Sequence, residues 1–242
     1  MKILDDLLST LNLEASVRDI RQGLFHTGVL TRNCGLASTL PRDALRQEEG
    51  KPVVKEPGFL LEKSVLELVR MAYSESIAEA AIGMATVNSL LEIDEEHCLE
   101  LNAGELIAKK GVGEKVAIVG HFPFISKLRL VVGELWVIEK NPWEDDFVEA
   151  EAETLIPQAG VVGITGAAFT NHTVEHLLEL CSPKAYVVIL GDTTPLSPLL
   201  FDYGVNAISG TKVINPELAL RCVSEGATFR QIKGVRRLTM IR

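Results

Sequence analysis

Apolar positions change period several times along the chain. Ile3, Leu4, Leu7, Leu8 and Leu11 recur at helical spacing, which predicts a helix over residues 2–13. Residues 17–40 are rich in β-branched side chains and punctuated by Gly23, Gly28 and Gly35. They predict two or three short antiparallel strands, with Asn33-Cys34-Gly35 as a turn. The polar stretch 41–58, with Pro41, Pro52 and Pro57, predicts a loop. Helical spacing resumes over 60–69, and Ser74 reads as the N-cap of a long helix to Leu91. Ala78, Ala80, Ala81, Gly83, Met84 and Ala85 give that helix a small-residue face. Such a face suits core packing or a homodimer contact equally well.

The charged stretch 92–101 separates this small α+β unit (1–98) from a second unit (99–242). Asn102 and Glu105 fit an N-cap with its reciprocal acid, and Gly111 fits the position just past that helix. Short apolar strands are then predicted at 115–119, 134–138, 161–164, 186–190 and 205–208. Helices are predicted between and after them at 122–130, 147–155, 172–180 and 215–225. This alternation predicts an α/β fold: a Rossmann-like open, mostly parallel sheet covered on both faces.

Ligands of such sheets bind beyond the carboxyl ends of the strands. Those ends carry Gly120-His121-Phe122, then Glu139-Lys140, then Thr165-Gly166 with Asn171. Next come Gly191-Asp192-Thr193 with Pro195, and finally Ser209-Gly210. Small residues let a ligand approach the backbone, and hydroxyls and helix-start N–H groups suit anionic oxygens. Ordinary strand-to-helix turns capped by Ser, Thr, Asp or Asn look the same singly; five at one edge favour a ligand cleft. Glu139 lies 19 residues past Gly120, near the place of a ribose-binding acid in a nucleotide-binding unit. It equally suits a metal, or a surface pair with Lys140. Phe122 and Pro123 stand where a pyrophosphate needs bare backbone, which counts against a classical dinucleotide. His121 suits a general base, a metal ligand or an anion donor; packing against Phe122 and Phe124 is the plain alternative.

Two further features carry weaker chemistry. His172-Thr-Val-Glu175-His176 matches H-x-x-E-H, whose histidines share a helix face, but no third ligand is distinguished downstream. Cys34 beside Gly35 suits a thiolate ligand or nucleophile, a wall of the site, or a small buried residue.

Composition narrows the partners. The net charge of −9 argues against nucleic acid, whose binding rests on neutralising phosphates. The basic run Arg230, Lys233, Arg236, Arg237, Arg242 reads as a solvated last strand, or else as a phosphate or partner contact. No apolar stretch reaches the roughly 18 residues that span a bilayer. Asp5 and Asp6 interrupt any leader-like run, so no secretory leader is expected. Four cysteines without a C-x-x-C pair predict a reduced, cytoplasmic protein without a structural zinc ribbon.

The motifs VGHFPF (119–124), WVIEKNP (136–142), GITGAAFTNHTVE (163–175), ILGDTTPLSP (189–198) and the run 201–213 give a resemblance. The chain resembles the "Putative heavy-metal chelation" family, and GLAST (35–39) resembles that family's accompanying N-terminal domain. The resemblance implies an enolase-N-terminal-like domain followed by a Rossmann-like domain, with the site in the crevice between them. It also implies a role in handling heavy-metal ions. The motif positions that carry over are His121, Glu139, Thr165, Gly166, Asn171, Gly191, Thr193 and Pro195. The expectation is therefore a metal ion or small anionic metal-chelating ligand in the crevice, with His121 and Glu139 as polar anchors or metal ligands. The alternatives are an enzyme using an NAD- or S-adenosylmethionine-type cofactor, as transferase or oxidoreductase, and a non-catalytic binding module.

Overall fold

The computed structural model describes residues 1–40, 52–143 and 145–242. Helix α1 (Lys2–Ser9) buries Ile3, Leu4 and Leu7. It ends four residues before the expected end. The Ser9 hydroxyl donates to the Asp6 carbonyl (2.6 Å) and Thr10 to that of Leu7 (2.7 Å), local bonds that compete with the helical ladder. Strands β1 (Asp19–Gln22), β2 (His26–Leu30) and β3 (Cys34–Ser38) form the expected antiparallel sheet, in the order β1-β2-β3. Of the expected loop, residues 41–51 lie outside the described residues, and 52–58 carry no regular structure.

The helix expected over 60–69 divides into a single 3-10 turn and α2 (Val65–Arg70). The break comes at Ser64, which starts α2 with a capping box to Glu67. Helix α3 (Ile77–Leu90) is capped by Ser76 rather than Ser74; the Ser74 hydroxyl donates instead to Glu79 Oε2 (2.6 Å). Nearly every residue of α3 is buried, so its small-residue face packs inside the chain.

The second unit begins with α4 (Ala103–Lys110), capped by Asn102 as expected. Gly111 ends it without a left-handed turn, at φ −88°; Gly113, at φ +75°, makes the reversal. There follow β4 (Lys115–Val119), α5 (Ile125–Leu128), β5 (Glu134–Glu139), β6 (Phe147–Val148) and α6 (Ala152–Leu155). Next come β7 (Val161–Thr165), α7 (Val174–Leu180), β8 (Tyr186–Leu190), β9 (Ala207–Val213), α8 (Pro216–Ser224) and β10 (Val235–Ile241). The sheet order is β10-β9-β8-β7-β4-β5-β6. All neighbours are parallel except β10, which runs antiparallel to β9.

Three expectations need correction here. The helix expected at 147–155 opens instead with strand β6, which pairs with the end of β5 through Ile138–Phe147 and Glu139–Val148; tertiary pairing overrides the helical propensity of the Glu/Ala run. The helix expected from 172 starts at Val174, because His172 is left-handed (φ +61°). The strand expected at 205–208 runs instead over Ala207–Val213 and carries β10 along its whole length.

Apolar side chains alternate between the two faces of this sheet. Ala117, Trp136, Ile138, Val162, Ile164 and Ile189 join one buried cluster that also holds Leu4, Leu7, Met84 and Phe169. Val116, Ile118, Leu135, Val137, Val188 and Leu190 pack on the other face with Leu106 and Ile107 of α4 and Leu128 of α5. The two units therefore share one core. The connecting stretch also joins the large sheet: Leu99 bridges Thr239 of β10, and Glu95 pairs with Lys212 and Arg236. Among the described residues no helix is long and apolar enough to cross a membrane.

The small sheet is covered on both sides. Val29 and Ala37 face the cluster containing α3, while Cys34 and Leu36 face Leu220 and Val223 of α8. Glycine sets both distances: a Cβ on Gly35 would lie 2.1 Å from the Ala85 carbonyl oxygen, and one on Gly28 2.5 Å from Leu220. Gly35→Ala is therefore expected to destabilise the protein by about 3 kcal/mol, since α3 backbone must move to admit the methyl. Urea denaturation monitored by circular dichroism measures this.

Candidate functional site

From β4 the chain passes to β5 on one side, then returns to place β7 on the other side of β4. Such a reversal opens a crevice at the carboxyl ends of the strands. A cleft of about 710 Å³ lies there, within the usual size of a small-molecule site. The large sheet contributes Gly120, His121, Glu139, Thr165, Gly191, Asp192, Ser209 and Gly210, and the small sheet faces them with Phe25, His26, Ser38 and Leu40. Phe122, Phe124, Leu101, Ile138 and Phe229 make much of the wall apolar.

Of the residues expected at the site, His121, Phe122, Glu139, Thr165, Asn171, Gly191, Asp192, Ser209 and Gly210 line this cleft. Gly166, Thr193, Pro195, Cys34 and Gly35 do not. Gly166 instead lets two turns meet, because its Cβ would lie 2.5 Å from the Thr194 backbone nitrogen. Thr193 is buried, and its hydroxyl oxygen accepts a bond from the Ser38 backbone N–H (2.9 Å). Pro195 is buried in the same loop. Cys34 lies in the contact with α8, where burial pushes its thiol up to about 12. It is a packed thiol, neither a ready thiolate nor a wall of the cleft.

The rim is built around β4 and β5. The Glu139 carboxylate, half-buried, accepts the Lys140 backbone N–H (3.1 Å) and faces the backbone N–H of His121. Burial outweighs these donors and raises its pKa above the ordinary carboxylate value. His121 Nδ1 lies 3.2 Å from Asp146 Oδ2, and its ring is 4.3 Å from that of Trp143. Gly120 (φ +105°) offers no bare cradle: Thr165 and Phe122 come within 3.0–3.2 Å of where its Cβ would be. The Thr165 hydroxyl oxygen accepts the Ala167 N–H (3.3 Å), Asn171 Oδ1 accepts from Thr173, and the Ser209 hydroxyl pairs with that of Thr239 (2.9 Å). Thr165 and Asn171 are committed to their own turns, and Ser209 to the β9–β10 pairing.

The floor holds a residue that motif reading passes over. His26 opens β2, and its Nε2 lies 3.0 Å from Oδ2 of Asp192, with both side chains almost fully buried. Distance alone would make this an ion pair, yet Oδ2 takes no hydrogen bond. Oδ1 accepts the Thr211 hydroxyl. No motif marks His26; the only sign in the sequence is a histidine opening a strand that is otherwise small and apolar. Arg230, Arg237 and Phe229 are further lining residues that were not singled out for the cleft. The Arg237 guanidinium sits 4.0 Å over the Phe229 ring. Arg236 belongs to the solvated strand, paired with Glu95 and Glu100.

The H-x-x-E-H residues point in separate directions. His172 Nε2 donates to the Ala72 carbonyl (2.8 Å), Glu175 accepts the Ile3 N–H of α1 (2.5 Å), and His176 meets Glu153 at the surface (2.6 Å). Among the described residues no three His, Cys, Asp or Glu side chains converge on a common point. Their four cysteines are all free, and Cys34 and Cys222 pack in one apolar cluster. These side chains therefore do not by themselves form a complete cage for a heavy metal, which favours converging thiolates or several mixed donors.

Two sequence-family profiles, both described as "Putative heavy-metal chelation", match residues 102–242 and 4–91. An uncharacterized protein of Methanocaldococcus jannaschii is 26% identical over 183 residues, which cover 72% of this chain and 70% of that one. Two crystal structures of proteins of unknown function share the fold. One, from Desulfitobacterium hafniense, has a TM-score of 0.86 at 24% identity; the other, from Pyrococcus horikoshii, has 0.84 at 24%. Each comparison covers 100% of this chain and 98% of the other.

The raised Glu139 predicts a pH signature. Between the ordinary carboxylate value and the raised one, the unfolded chain is ionised while the folded chain still holds the proton. Stability therefore falls as pH rises through that window. Glu139→Gln is expected to raise the thermal midpoint at pH 7 and to leave it unchanged near pH 4, as read by paired melts.

Proposed function

Because the chain belongs to the "Putative heavy-metal chelation" family, we propose that it binds a small anionic metal-chelating ligand in the cleft between the small sheet and the large one. The cleft itself carries this reading: about 710 Å³, lined from both sheets, mostly apolar, with histidines, carboxylates and arginines at separate points. A bare ion needs several converging donors, and among the described residues no set of three exists. An organic chelator fills the apolar volume and brings the missing donors with it. Arg230, Arg237 and Lys140 along the lining suit its negative groups, and Glu139 and His121 anchor its polar edge at the rim. The nucleotide reading keeps Glu139 for a ribose but loses its phosphate cradle, since Gly120 is packed against Thr165 and Phe122.

The test is a thermal-shift and calorimetric screen of chelating carboxylates and catecholates, with and without nickel or zinc, beside NAD and S-adenosylmethionine. A metal-loaded chelator present at about 100 times its Kd is expected to stabilise the protein by about 2.7 kcal/mol. Arg237→Ala is expected to weaken that binding about tenfold, roughly 1.4 kcal/mol. Stabilisation by the adenosine compounds alone would replace this reading with the cofactor one.

A further inference from the structure

We propose that His26 and Asp192 form a two-donor metal contact at the floor of the cleft, one that completes the coordination of a metal ion carried in by its chelator. This rests on the ligand reading above and assigns the metal to residues other than His121 and Glu139.

The first support is geometric. Nε2 and Oδ2 are 3.0 Å apart. A hydrogen-bonded pair would place Oδ2 along the N–H direction, yet Oδ2 is left without any hydrogen-bond partner. An unpaired carboxylate oxygen in so buried a side chain is costly and calls for an explanation. Two cis donors with bonds of about 2.1 Å to one ion sit roughly 3.0 Å apart, and they sit side by side without a proton between them.

The second support is the surroundings of each donor. His26 Nδ1 lies 3.3 Å from the Ala227 carbonyl, which can only accept. In the neutral ring with its proton on Nδ1, that contact is a hydrogen bond and the Nε2 lone pair is open to a metal. Asp192 Oδ1 accepts the Thr211 hydroxyl, which orients the carboxylate and leaves Oδ2 for the ion. A ligating histidine that donates its far N–H to a carbonyl, and a ligating carboxylate held by a hydrogen bond, are the usual outer partners of metal donors.

The third support is room for the rest of the coordination shell. Gly191, at φ +120°, precedes Asp192, and a Cβ there would meet nothing nearer than the Gly166 nitrogen at 3.9 Å. Bare backbone therefore borders the donor pair on the cleft side. Among the described residues no third side-chain ligand stands by, so the remaining positions belong to the chelator and water.

Nickel nitrilotriacetate is a suitable probe, because its chelator leaves only a cis pair of positions open. Untagged protein is titrated with it by calorimetry. Stoichiometric binding is expected, weakened at least about tenfold by His26→Gln and by Asp192→Asn but not by His97→Gln or His176→Gln. Nickel bound to EDTA, with no open pair, is expected to bind far more weakly. A measurement on the wild type alone avoids dependence on variant folding: copper nitrilotriacetate should broaden the His26 ring signals in NMR before those of His97, His121 and His176. Binding that survives both floor variants, or first broadening at another histidine, overturns the assignment while leaving the cleft as the ligand site. Failure of the wild type to bind any open chelate also overturns it, and the organic-ligand screen then decides the broader reading separately.

Discussion

The fold depends on how closely a three-stranded sheet can approach two helices at once. Sheets keep side chains on alternate faces, so covering both faces of one only three strands wide needs small residues where the helices touch. Gly35 brings the strand backbone against α3, and Gly28 brings it under Leu220 of α8. The helix α3 answers with its own small, wholly buried surface. Since α8 follows β9 of the large sheet, this clamp also fixes the small sheet against the strands that carry the cleft.

Position then passes to the cleft through a few polar contacts. The Ser38 backbone donates to Thr193, and the Asn88 amide donates to the carbonyls of both Leu36 (2.9 Å) and Thr193 (3.2 Å). The loop after β8 is thereby held to the small sheet and to α3 together. Asp192 precedes Thr193 in that loop, and His26 stands at the start of β2. Their meeting at 3.0 Å follows from two rigid elements rather than from a flexible side-chain encounter, the arrangement in which a donor pair keeps its geometry before a ligand arrives.

The alternation of short apolar strands and helices made the parallel sheet legible, and the carboxyl-edge rule pointed to most of the turns that line the cleft. Legibility failed where tertiary partners decide. The Glu/Ala run at 147–155 has helical propensity, but β5 offered an edge and took its first residues. His172 looked like part of a helical metal motif, but its backbone is left-handed and its ring bonds a distant carbonyl. Thr193 and Pro195 sit in the right loop yet are buried away from the cleft, Thr193 against Ser38 of the small sheet. His26 was invisible for a related reason: its partner lies far along the chain in the other unit, and no local spacing records such a pair.

The two-sided cover on the small sheet also bears on how the chain comes into being. During synthesis β1, β2, β3 and α3 appear early, and one face of the sheet closes as soon as α3 packs. The other face waits for Leu220 and Val223 of α8, which follows β9 in the chain. Until then Leu36 and Cys34 stay open to water on a small sheet that has an unpaired edge. Long-range closure of this kind is slow and exposes sticky surface. The small sheet is thus fully covered only once α8 packs on it, not when its own three strands are complete.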